Sequence, residues 1–139
     1  MKKIIYTQNL HLSISAIIVI PIALVYGSLP NQNLVNPFDF TAISTDLANI
    51  LKAIMGLYIA FALFWVYGIF NNKFWASATI SNILFMSGLG FGRILSSIID
   101  GLPSPIFILG TFGELLLAFY GIFLLSKNKN AINKWSKSD

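Results

Sequence analysis

The sequence contains no cysteine and a single histidine, and only 10% of its 139 residues are charged. Lack of cysteine excludes disulfides and thiolate metal centres. One histidine leaves too few good ligands for an ordinary zinc-type site. Neither a glycine-rich phosphate loop nor a nucleophile elbow occurs, and no cofactor is expected. A soluble domain carries about 25% charged residues, and this chain has too few to cover a soluble surface. Internal repeats and low-complexity segments are also missing.

What remains is apolar: 56% hydrophobic residues and a mean hydropathy of +0.76. The apolar residues fall into four runs, expected as helices over about 10–29, 46–70, 74–99 and 105–126. Each has roughly the 20 residues that cross a hydrocarbon core of about 30 Å. The fold class expected is therefore all-α, a single-domain integral membrane four-helix bundle running up-down-up-down, with the lipid bilayer as its main partner. The first run follows Lys2 and Lys3 as a signal peptide would. However, it is long, Val25-Tyr26-Gly27 is a poor cleavage site, and more apolar helices follow, so it is expected to stay. Pro21 predicts a kink, and His11, near the helix start, is expected at the membrane interface.

Punctuation supports the same division. Pro30, Asn31, Asn33, Asn36 and Pro37 break the chain into an outer loop over 30–45 that has no lysine or arginine. Ser44, Thr45 and Asp46 supply N-cap oxygens for the second helix. Trp65 and Tyr67 near its end resemble part of an interfacial aromatic belt. Asn71-Asn72-Lys73 forms a short hairpin. Gly101 is expected as a left-handed C-cap to the third helix, and Ser104-Pro105 as the start of the fourth.

Net charge is +4, yet the cations gather at helix ends, which points to topology and not to nucleic acid. Lys2, Lys3, Lys73 and the tail lysines 127, 129, 134 and 137 fall on one side of a four-span chain. Asp39, Asp46 and Asp100 fall on the other. The positive-inside rule then puts both termini and the basic tail, 127–139, in the cytoplasm of a cell with an inner membrane.

Three charges lie within the apolar runs, where each costs about 2.5–3.5 kcal/mol at helix centre. Counting about 1.5 Å per residue from the outer ends, Lys52 and Arg93 lie roughly 10 Å deep and Glu114 roughly 14 Å. Side chains lean toward their helix N-terminus, so Arg93 and Glu114 converge across a tight antiparallel hairpin. Lys52 leans outward, toward Asp100 or the headgroups. Gly90, Arg93, Ser96, Ser97 and Asp100 share one face of the third helix. Gly110, Thr111, Glu114, Ala118 and Gly121 share one face of the fourth. Asn49, Lys52, Gly56 and Ala60 share a face of the second, expected as a helix–helix contact. Gly88 and Gly92, four apart, suit a contact with the second helix or with another copy of the chain.

Asn49, Lys52, Arg93, Ser96, Asp100 and Glu114 are thus the candidate site residues. One reading is a pocket open to the outer face that binds a small amphipathic or anionic, lipid-like molecule. A second is an enzyme acting on a lipid-soluble substrate with Glu114 as acid or base. A third is a structural subunit in which Arg93–Glu114 only fixes helix register. A transporter lacks a visible inverted repeat unless the bundle is a homo-oligomer.

The pattern Asn49-xx-Lys52-xxx-Gly56-x-Tyr58, then Gly92-Arg93-xx-Ser96-xxx-Asp100-Gly101-x-Pro103-Ser104, then Glu114, resembles the bacterial four-helix membrane proteins grouped as domain of unknown function 4345. The resemblance covers nearly the whole chain. It implies fold and topology, and no activity. In that family the Lys52 position is often arginine, and lysine keeps the charge but not the bidentate fork. The four-helix plan is more loosely similar to DoxX-like membrane proteins.

Overall fold

The computed structural model describes residues 2–28 and 44–128, with side chains from Gln8 onward in the first segment. Most of the expected 30–45 loop, and the tail beyond Asn128, lie outside the described residues. Four helices make up the described chain: α1 Lys2–Ser28, α2 Thr45–Phe70, α3 Trp75–Ile99 and α4 Pro105–Lys127. No strand occurs among the described residues. Each helix is long and apolar enough to cross a membrane, and in α1 the qualifying stretch is Gln8–Ser28. The protein is a multi-pass, four-helix transmembrane bundle.

Local chemistry sets the helix ends. Ser44 takes the N-cap of α2, its hydroxyl accepting from the Leu47 N–H at 3.1 Å. After Phe70 the chain turns within four residues: Lys73 N–H donates to Asn71 Oδ1 (3.2 Å) and Phe74 N–H to the Asn71 carbonyl (2.9 Å). At the other end Gly101 has φ +101°, a left-handed conformation that suits only glycine well. Ser104 precedes α4 without a capping side-chain bond, and Pro105 occupies its first turn. Helix α1 runs through Pro21.

Consecutive helices are antiparallel. Asn9 near the start of α1 donates to the Ile69 carbonyl near the end of α2 (3.3 Å). Helix α1 packs mainly along α2, and α3 along α4, with α2 and α3 joining the two pairs. Lys73 and Lys127 mark one end of the bundle, the lysine end, and Asp100 marks the far end.

The core is gathered toward the lysine end. In α3 the buried residues run from Trp75 to Gly90, and in α4 from Ala118 to Leu124. In α2 they are Leu51, Tyr58, Ala62, Trp65 and Gly68, and in α1 they include Leu12, Ala16, Val19 and Ala23. Beyond Gly90 in α3 and before Ala118 in α4 no described residue is fully buried. The far half of that hairpin is therefore open.

Three expectations about helix rotation are corrected here. His11, expected at the membrane interface, turns inward and is completely buried in the bundle, more than two turns inside α1. Trp65 is also buried and not part of a belt. Its indole N–H donates to Ser81 Oγ at 3.1 Å, and that hydroxyl donates to the Ala78 carbonyl at 2.8 Å. With its polar atom satisfied, the large ring can join the core. Tyr67, two residues on, is exposed as expected. The face carrying Asn49, Lys52, Gly56 and Ala60 is exposed, because the stripe of α2 turned inward is Leu51, Tyr58, Ala62 and Trp65.

Candidate functional site

The deep charges of the α3–α4 hairpin meet. Arg93 Nη2 lies 3.1 Å from Glu114 Oε1, and the two side chains are 19% and 13% exposed. The antiparallel crossing brings them to one level, and small residues let the helices approach. One turn before Arg93, Gly90 leaves room for Leu115. A Cβ there would come within 2.7 Å of Leu115 Cδ2. Toward the lysine end, a Cβ on Gly121 would come within 2.8 Å of Ile83 Cγ1. At Gly110, Gly56, Gly88 and Gly92 an added Cβ meets nothing within 4 Å. On the α4 face shared with Glu114, Gly121 is therefore closely packed and Gly110 is not.

Aromatic rings wall the pair. The guanidinium of Arg93 lies over Phe107, with Cζ 5.0 Å from the ring centroid. Phe107 is two turns before Glu114 on α4, hence on the same face. A cation over a ring gains from roughly 0.5 kcal/mol when exposed to about 2 kcal/mol when desolvated, and this half-buried contact lies between, so Phe107 adds to the attraction of Glu114. Tyr58 lies within electrostatic reach of both charges. Its ring packs edge-on against Phe85 (4.9 Å between centroids) and Tyr26 (5.9 Å). Ser97 and Thr111 hold their backbones on either side, their hydroxyls donating to the Arg93 carbonyl (2.7 Å) and the Phe107 carbonyl (2.9 Å).

The pair does not use all its hydrogen-bonding capacity. Arg93 Nε and Glu114 Oε2 are both buried and have no partner among the described residues. A donor and an acceptor thus stand side by side in a site of low dielectric, where each is costly to leave unmade. The arrangement suits a polar group that accepts from one and donates to the other. It suits a free anion less, because Glu114 already neutralises Arg93.

The other candidates are not gathered with the pair. Asp100 accepts a 2.9 Å bond from the hydroxyl of Ser96, one turn earlier, and both are exposed near the far end. Lys52 and Asn49 are exposed on α2, and among the described residues Lys52 forms no ion pair. A long lysine stem facing outward there is placed to snorkel toward the headgroups. Phe107 is a site residue that sequence reasoning does not select, whereas Tyr58 already stands in the family pattern. The seven-residue spacing of Phe107 and Glu114 is the available signal for the first.

No match was found among curated proteins or among solved structures. A family profile described as Domain of unknown function (DUF4345) matches residues 7–125. That stretch spans all four helices and contains the Arg93–Glu114 pair, and the chain belongs to this family.

Proposed function

We propose that this protein holds a small amphipathic molecule with its polar head against Arg93 and Glu114, entering from the far half of the bundle. The observation that carries the reading is the unused donor and acceptor of the pair, Arg93 Nε and Glu114 Oε2, buried where the helices open. An uncharged head with both capacities, such as a hydroxyl or an amide, satisfies the two at once. The aromatic walls and the exposed apolar far ends of α3 and α4 suit a lipid-like tail. The gathering of Lys2, Lys3, Lys73 and Lys127 at one end, with Lys52 the exception near the other, supports an inner-membrane orientation with both termini cytoplasmic, so that the site opens to the outer leaflet.

Native mass spectrometry of the protein taken from membranes in mild detergent tests this. The wild-type chain should retain a small-molecule adduct. A Glu114→Gln variant that keeps its thermal stability should lose most of it, and a Gly110→Ala variant should keep it. Equal adduct on wild type and a folded Glu114→Gln would overturn the reading.

A second reading, that the pair is purely architectural, is favoured by the direct contact at 3.1 Å and the Phe107 stacking. It expects no specific adduct on any of the three proteins.

A further inference from the structure

A second polar group lies in the opposite half of the bundle. His11 and Ser15, one turn apart on α1, are completely buried. So are Thr79 and Asn82 on α3, while Trp75 on the same face is 1% exposed. Trp75, Thr79, Asn82 and Met86 follow the helical spacing that forms one stripe. The His11 ring packs edge-on against Trp75, with 6.3 Å between centroids, and against Tyr120 of α4 at 6.2 Å. Helices α1 and α3 run in the same direction. With His11 beside Trp75, Ser15 is level with Thr79, and Asn82 follows about 5 Å further along the axis. These residues therefore form one layer just inside the Asn71–Lys73 turn.

Among the described residues none of their polar atoms has a hydrogen-bond partner. They are both ring nitrogens of His11, Ser15 Oγ, Trp75 Nε1, Thr79 Oγ1, and both amide heteroatoms of Asn82. His11 approaches the Gln8 backbone without closing a hydrogen bond. Elsewhere in the bundle Ser81, Ser97, Thr111 and Ser126 each turn back and donate to a carbonyl of their own helix. Ser15 and Thr79 do not, although burial makes their need greater. Orphaned polar atoms in such numbers are rare in a native core. In a membrane protein no solvent lies beyond the helices to compensate for them.

We infer that this layer is an internal hydration site, holding ordered water between α1 and α3 at the lysine end. The donor set specifies the ligand. It mixes donors and acceptors and includes no carboxylate, lysine or arginine, so it suits an uncharged molecule that both gives and takes hydrogen bonds. A divalent cation finds one imidazole and no carboxylate there. The side chains are closed to the surroundings, which suits a molecule as small as water. Buried water typically makes about three such bonds, which this layer supplies from two helices. The site is separate from Arg93, which lies about 16 Å further along α3 than Asn82.

Radiolytic hydroxyl-radical footprinting of the full chain in lipid nanodiscs tests this, because radicals born from bound water label the buried side chains beside it. Trp65 and Trp75 are an internal control: both are buried, but the Trp65 indole is bonded to Ser81. Trp75 should be labelled several-fold faster than Trp65. The double variant Thr79→Val, Asn82→Leu should bring Trp75 down to the Trp65 rate. Equal slow labelling of the two tryptophans in the wild-type chain overturns the inference and needs no variant. So does fast Trp75 labelling that survives in the folded double variant, since the water would then lie elsewhere.

Discussion

Arg93 and Glu114 lie on different helices, twenty-one positions apart in the chain, and yet their encounter is legible in the amino-acid sequence. Depth from the helix ends and the lean of each side chain toward its N-terminus suffice to bring them to one level. Burial adds the energetic consequence. Removing one partner leaves the other charge in a low-dielectric site, which costs about 3 kcal/mol or more. A double-mutant cycle on Arg93→Met and Glu114→Gln, read as stability in detergent, should show each single change destabilising. The double change should cost clearly less than their sum. Additive losses would mean that the 3.1 Å contact contributes nothing. Lys52 is the contrasting case. Its depth is equally readable, but depth does not say which way a side chain faces, and on α2 it faces away from the core.

At the scale of the helix, ends are readable and rotations are not. Ser44 and Gly101 carry their own local chemistry, a capping hydroxyl and a left-handed backbone, and neither depends on neighbours. Rotation depends on a contrast between faces. In a bilayer the outward face is as apolar as the inward one, so an apolar run such as α1 or α4 gives little contrast. The burial of His11 and Trp65 escapes sequence reasoning for this reason. Glycine gives a test of the rotations found here. An added methyl at Gly68 would strike Ala78 Cβ, which has no freedom to move, and at Gly121 would press on Ile83. At Gly110 it meets nothing. Gly68→Ala should therefore lose about 1–3 kcal/mol through overpacking, with Gly121→Ala a smaller loss. Gly110→Ala should be neutral or gain up to about 1 kcal/mol from helix propensity. Thermal denaturation of the three variants in one detergent checks the order. A loss at Gly110 matching that at Gly68 would mean that α4 is rotated from its position here.

On the scale of the whole molecule the two polar groups divide the bundle. The uncharged layer around His11 is sealed at the lysine end, and the ion pair stands where the far half opens. We propose that the pair is reached from the far side, with both termini cytoplasmic. The absence of cysteine in the native chain allows a direct measurement. A single cysteine at Ser97, one turn beyond Arg93, or at Ser15, within the sealed layer, is challenged with a charged, membrane-impermeant thiol reagent. The reagent is applied to sealed membrane vesicles of each orientation. Ser97→Cys should react when the reagent is on the outer side and not when it is on the cytoplasmic side, while Ser15→Cys should react from neither. Reaction of Ser97→Cys only from the cytoplasmic side would invert the topology. Failure to react from either side, in a protein that a small permeant thiol reagent still labels, would contradict the open far half.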